Sequence, residues 1–298
     1  MIKWLNDFVK RAVKTVVYFF GNGGGGQDTS VPSMEQSCLV YWKCDDNSDT
    51  NIVSDSSGNN NIIYAYDIDG NPFPTRLLHS NTTGIACRYN DTTKMNFFNF
   101  DEEEGFYLGH PYNNEIARLF TAGQDWTVVF WKNVIVTANA YLFYVGDATG
   151  REGNIQYYFI GNDTENRAII GSNQGIIVRS QMAFENRIPH PWHCLVMMYS
   201  GDIGQMKLYI DGKFEGAGFT NPIETDPEEP VIEIFIGKWG LIPLYLPLDR
   251  AFDDMMIFKR TLTDEEISIL WNNGRGTENF QLTPTLNLDG TEILTAAL

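Results

Sequence analysis

The sequence predicts an all-β fold, an antiparallel sandwich of two sheets, and three observations carry that prediction. From Cys38 onward the chain is a succession of short runs rich in aromatic and β-branched residues: CLVYW, NIIYAY, WTVVFW, AYLFYV, IQYYFI, AIIG, GIIV, LVMMY, MKLYI, VIEIFIG and MMIF. Such runs suit a pleated, half-buried surface. Clusters of Gly, Asn, Asp and Pro separate them, which is turn chemistry recurring as a sandwich requires. Helical and strand patterns do not alternate regularly, which excludes a doubly wound parallel sheet. With 298 residues, 13% aromatic residues and 27 glycines, the chain can fill one large core and make the turns around it.

Four segments follow in order. Residues 1–20, MIKWLNDFVKRAVKTVVYFF, repeat apolar side chains at helical spacing through Ile2, Leu5, Ala12 and Val16 and predict an amphipathic helix. Lys10, Arg11 and Lys14 interrupt the apolar run, so it is too polar to span a membrane, and no small-residue cleavage site follows as in a secretory signal. Residues 21–35 begin GNGGGG and have the composition of a flexible tether. Residues 36–276 hold the sandwich, and residues 277–298 are an extended tail whose alternation around Leu282, Leu286 and Leu288 could add a strand to its own body or to a neighbour. Within the body, Asp211-Gly212 predicts a tight hairpin turn. Thr263 with Glu266 three residues on predicts a capped helix that Gly274 stops.

The formal net charge of −17 excludes a sequence-independent nucleic-acid binder, which needs basic patches to displace counterions from phosphates. Charge is also unevenly spread: Lys3, Lys10, Arg11 and Lys14 against Asp7 give the first 20 residues +3, leaving −20 on the rest. A basic, apolar-faced helix ahead of an acidic body can dock on a partner or assemble with itself, lie on a membrane surface, or pack on its own domain. The cysteines, Cys38, Cys44, Cys87 and Cys194, are too few and scattered for a disulfide scaffold or zinc site and read as reduced core or half-buried thiols.

Three segments together resemble the laminin-G-like and pentraxin-like jelly rolls of the concanavalin A-like superfamily. LVYWKCDDNSDTNIVSDSSGNNN is similar to the opening strand and its Asp-Ser-Ser-Gly-Asn turn, here Asp55 to Asn59. PWHCLVMMYSGDIGQMKLYIDGKFEGAG is similar to the Trp-His strand and the Tyr-Ile-Asp-Gly hairpin, with Trp192, His193, Tyr209, Asp211 and Gly212 in the matching places. VIEIFIGKWG followed by AFDDMMIFKRTLTDEEISILW resembles the Ile-Gly strand, the Asp-containing closing strand and the short helix after it; Ala251 stands where the family commonly has Gly. The resemblance covers about residues 36–276 and implies a two-sheet antiparallel jelly roll.

Such folds include glucanases, whose retaining members need two carboxylates roughly 5 Å apart. The chain has no run of alternating acids to supply them: Glu233 in VIEIF stands alone, and DEEEG at 101–105 reads as a solvated loop. His193 follows Trp192 on a core strand and reads as structural. For calcium, the resemblance implies an Asp of the closing strand with oxygens near the opening strand, making Asp253 the first candidate ligand and Asp45 its weaker partner. For sugars, which stack on exposed rings, Trp239 and Tyr245 in the Gly- and Pro-rich KWGLIPLYLPL are the candidates.

The expectation is a non-catalytic recognition protein whose N-terminal helix joins a capsid or other assembly protein and whose lectin-like head meets surface glycans or a host receptor. Absence of a secretion signal, unpaired acids, reduced cysteines and an anchor with a tether point to a virion, as in a bacteriophage spike or capsid-associated protein, and to a homo-oligomer. The alternatives are a cellular surface lectin or adhesion protein held by the basic helix on a membrane, and a purely structural virion component.

Overall fold

The computed structural model describes residues 32–67, 69–80, 97–100, 107–110, 114–120, 123–133, 141–147, 157–165, 167–184, 192–221, 232–236, 250–274, 276, 284–286 and 292–294. The chain divides into two units, residues 1–32 and 33–298. The amphipathic helix expected over 1–20 and residues 21–31 of the tether expected over 21–35 lie outside the described residues.

The second unit opens on a short helix, α1 (Met34–Ser37), and continues with β1 (Cys38–Trp42), β2 (Ile52–Val53), β3 (Ile63–Tyr66), α2 (Thr75–Leu78) and β4 (His79–Ser80). Next come β5 (Phe97–Phe100), β6 (Tyr107–His110), α3 (Asn114–Leu119), β7 (Trp126–Asn133), β8 (Tyr141–Asp147) and β9 (Tyr157–Asn162). The central hairpins are built from β10 (Arg167–Ser172), β11 (Gly175–Ala183), β12 (Trp192–Ser200), β13 (Gln205–Ile210) and β14 (Lys213–Phe219). The chain closes with β15 (Ile232–Ile236), β16 (Arg250–Phe258), α4 (Asp264–Trp271), β17 (Pro284–Leu286) and β18 (Glu292–Leu294).

Among the described residues these strands form two eight-stranded sheets. Sheet A runs β14-β13-β12-β7-β16-β5-β4, with β1 also paired to β16, and sheet B runs β11-β10-β9-β8-β15-β6-β3-β2. Every pairing is antiparallel, from the hairpin of β12 and β13 to the long-range pair of β15 and β6. The main core lies between the sheets, where Phe130, Leu195 and Ile257 of sheet A meet Val145, Ile160 and Ile234 of sheet B. The tail strands β17 and β18 pair with each other.

Strands β1, β7, β12, β13 and β16 of sheet A are buried on both faces. In β12, Leu195, Met197 and Tyr199 point into the main core, while Cys194, Val196 and Met198 join a second cluster with Ile267 and Leu270 of α4. Period-two alternation with apolar residues on both sides explains why WHCLVMMY reads as an unbroken hydrophobic run. The roof helix is fixed as expected: Thr263 caps it, accepting from the Glu266 amide, while the Glu266 side chain accepts from the Thr263 amide. It ends at Trp271, three residues before Gly274, because Asn272 already takes the left-handed conformation at φ 45°. Asn tolerates that region through local hydrogen bonding, and its side chain donates to the Gly276 carbonyl.

The turn between β13 and β14 has Asp211 at φ 53° and Gly212 at φ 72°, the pair of positive angles that a two-residue hairpin of this twist requires. Among the described residues no helix is long and apolar enough to cross a membrane.

Candidate functional site

Two places in the sandwich bring chemistry-bearing residues together. The first is the junction of β1 with the closing strand β16. Asp253 is buried at 2% exposure, opposite Trp131 of β7. The register slips between Asp253 and Met256, and Asp254 takes a φ of 47°. A bulge re-aims consecutive side chains: the Asp254 amide donates to Asp253 Oδ1 at 3.0 Å, and the Tyr41 hydroxyl donates to Asp254 Oδ1 at 2.7 Å. The bend thus falls at Asp254 and Ala251 itself remains in regular pairing with Asn99.

Cys44 lies just past β1, fully buried, at φ 57°. Burial first, and then the fields of Asp253, Asp46 and Asp45, push its thiol well above the ordinary cysteine value. Asp45 is exposed, and Asp46 is already engaged by the Ser54 amide and hydroxyl. Among the described residues no group of three or more His, Cys, Asp or Glu is placed to hold a metal ion. Asp253 and Asp45 therefore fall short of a calcium shell by side chains alone, since that ion takes six to eight oxygens.

Asp55 organises the adjoining turn. Its carboxylate accepts from the amides of Tyr41, Ser57 and Asn61 and from the Ser57 hydroxyl, at 2.8 to 2.9 Å. The Asp-Ser-Ser-Gly-Asn segment is thus the clamp that ties the opening strand to the turn.

The second place is the outer face of sheet B. Ile63 and Ala65 of β3 are fully buried in the main core, so Tyr64 and Tyr66 face the other way, half-exposed, with ring centroids 6.5 Å apart and planes inclined at 47°. Register extends this face across the sheet. Tyr64 pairs with Ile52 on one side and Gly109 on the other, and Gly109 pairs in turn with Phe235. Beyond Phe235 the row continues through Tyr144, Phe159, Gly171 and Ile176. One transverse row through all eight strands is therefore apolar, aromatic or glycine. Its middle is closed, with Tyr144 at 3% and Phe159 at 4% exposure, while Ile52 at 38% and Ile176 at 47% mark open ends. Gly171 serves that packing: a Cβ there would lie 2.6 Å from the Phe159 ring.

The sequence profile described as the concanavalin A-like lectin/glucanases superfamily, of the laminin-G kind, matches residues 109–268. The chain belongs to this superfamily. Comparison with curated proteins finds no match by sequence alone. Among solved structures, this superfamily member is similar to the binding domain of paraclostridial mosquitocidal protein 1, with a TM-score of 0.55 and 15% identity over 80% of this chain and 53% of that one. It is similar to the binding domain of botulinum neurotoxin DC in complex with SialylT, at TM-score 0.51 and 15% identity over 80% of this chain and 52% of that one. It is also similar to domain 4 of an extracellular arabinanase from Geobacillus stearothermophilus, in complex with arabinotriose, at TM-score 0.51 and 16% identity over 78% of this chain and 97% of that domain. The chain spans about half the length of the toxin domains, and identities this low show a shared fold.

Trp239 and Tyr245, the sugar-stacking residues expected for this superfamily member, lie outside the described residues, as does Cys87. Trp42, Trp126 and Trp131 are core residues at 0%, 0% and 1% exposure. His193 is structural: buried, its Nδ1 lies 2.7 Å from Asp211 Oδ2 and so ties β12 to the hairpin turn. Sequence reasoning passed over Tyr64 and Tyr66, although the alternation I-Y-A-Y carried the signal.

Proposed function

We propose that the chain is a non-catalytic recognition protein with a lectin-like head that binds surface glycans or a host receptor. The observation that carries this reading is the superfamily sandwich with an aromatic outer face open at its ends. Structures of similar fold, described as toxin binding domains and a sugar-bound arabinanase domain, support it as analogy. Trp239 and Tyr245 remain proposed sugar contacts. Calcium is a proposed structural ion at Asp253 and Asp45, with carbonyl oxygens completing its shell.

The same proposal places the protein on a virion, as a bacteriophage spike or capsid-associated homo-oligomer. The amphipathic helix at 1–20 would join an assembly protein and the tether at 21–35 would give the head reach; the +3 charge on the first 20 residues against −20 elsewhere supports separate partners for the two parts. The test is the full chain on a glycan array, with calcium and then with chelator. Binding abolished by chelation supports a calcium-dependent head, binding that survives removes the ion as mediator, and no binding overturns glycan recognition in favour of a structural component. Recovery in cell membranes and never in purified particles overturns the virion placement, and flotation of the full chain with anionic liposomes supports the membrane-held alternative.

A further inference from the structure

We propose that Tyr64 and Tyr66 form the stacking platform for consecutive units of an uncharged oligosaccharide, at the β2–β3 end of the outer face of sheet B. The proposal rests on the lectin-like reading above and gives it a site and a ligand class.

The two rings stand at positions i and i+2 of one short strand, so they share a face by the period of the strand itself. Their centroids lie 6.5 Å apart, and both rings remain half-exposed where Tyr144 and Phe159, in the same row, are closed over at 3% and 4%. Tyr64 is flanked on one side by Ile52, 38% exposed in a strand of only two residues, and on the other by Gly109, where the row becomes buried. Two adjacent half-exposed rings beside an exposed aliphatic shoulder suit a molecule whose own faces are apolar C–H surfaces and whose rim is hydroxyl.

Polar partners for that rim follow directly. Beyond Tyr66 the turn Asp67 to Asn71 is held by the Asn71 amide and side-chain N–H groups, which donate to Asp67 Oδ1 at 2.7 Å and Oδ2 at 3.0 Å. This leaves Asp69 and Asn71 at the exposed lip of the turn. Carboxylate and amide groups there accept and donate to sugar hydroxyls. They also set the sign: acidic side chains beside the platform, on a chain of net charge −17, repel sialylated or uronic-acid ligands and leave neutral ones favoured.

The test is titration of the full chain with neutral and sialylated oligosaccharides drawn from a glycan array. Tyr64→Ala and Tyr66→Ala are each expected to weaken neutral ligands about tenfold, and Tyr64→Phe and Tyr66→Phe, which keep the ring, to stay within about threefold. Thermal melting accompanies each variant. Where an alanine variant does not melt cooperatively, leucine replaces it, keeping apolar bulk while removing the flat ring. Alanine or leucine variants that bind as tightly as the wild type overturn the platform and leave glycan recognition standing. A wild-type preference for sialylated ligands overturns the ligand class, and failure of the wild type to bind any glycan overturns both the platform and the reading beneath it.

Discussion

Gly218 of β14 and Ile177 of β11 hold the outermost strands of the two sheets against each other: a Cβ on Gly218 would lie 2.6 Å from Ile177 Cγ2 and 2.7 Å from its carbonyl oxygen. Gly216 meets Val178 in the same way at 2.9 Å. A backbone oxygen cannot swing aside, so Gly218→Ala must push the strands apart. The expected cost is about 1–3 kcal/mol, read as a lower midpoint in urea denaturation.

Removing the carboxylate that clamps the opening strand should cost more than a surface change. Asp55→Ala leaves the Tyr41, Ser57 and Asn61 amides without their acceptor. Each partly buried donor stranded in this way costs about 1–3 kcal/mol, so the variant is expected to lose at least 2 kcal/mol by chemical denaturation. Asp55→Asn keeps one acceptor oxygen and should fall between it and the wild type.

Acid should loosen the roof helix through one ion pair. Burial works to raise the Glu266 carboxyl, but the hydrogen bonds from Arg260 and the Thr263 amide prevail and hold it below the ordinary 4.5. A carboxylate depressed in the folded state contributes stability that is full above its unfolded value and lost as pH falls through its folded value. Stability should therefore decline below about pH 4.5, and Glu266→Gln should be less stable at pH 7 with a shallower decline in acid. Melting temperatures measured from pH 7 to pH 3 decide it.

Native thiols should resist alkylation. Burial, and next the nearby Asp55 carboxylate, push the Cys38 thiol up to about 12, and burial with the acids around it holds the Cys44 thiol well above the ordinary cysteine value. Thiolate is the reactive form. Peptides carrying Cys38 and Cys44 are expected unmodified by iodoacetamide at pH 8 in folded protein and fully modified in urea, with mass spectrometry as the readout.

Each of the eleven apolar runs that predicted strands falls on one, because aromatic and β-branched density survives whatever its tertiary setting. The strand Lys213–Phe219 was legible only as half of a hairpin, since two glycines in KFEGAGF lower its strand propensity. Those glycines are required by the approach of Ile177 and Val178, a contact between strands that no local pattern encodes. The same holds for the site. The outward face of Tyr64 and Tyr66 follows from alternation, but their place in a transverse row depends on pairings of Tyr64 with Gly109 and of Gly109 with Phe235. Asp45 and Asp253 were paired through resemblance, which no local pattern around either residue encodes.

The double burial of sheet A decides where this chain can be cut. Family similarity ends at residue 268, inside the helix that runs to Trp271. A fragment stopped there would lose Leu270, which is 1% exposed, and the indole that lies against Gly212, where a Cβ would come within 3.0 Å of the ring. Val196, Met198 and Met256 beneath would then face water, an open apolar sheet of the sort that drives chains into aggregates. Expression of the head alone therefore calls for Ser33 through Gly276, whose amide donates to the Trp271 carbonyl and closes the last turn.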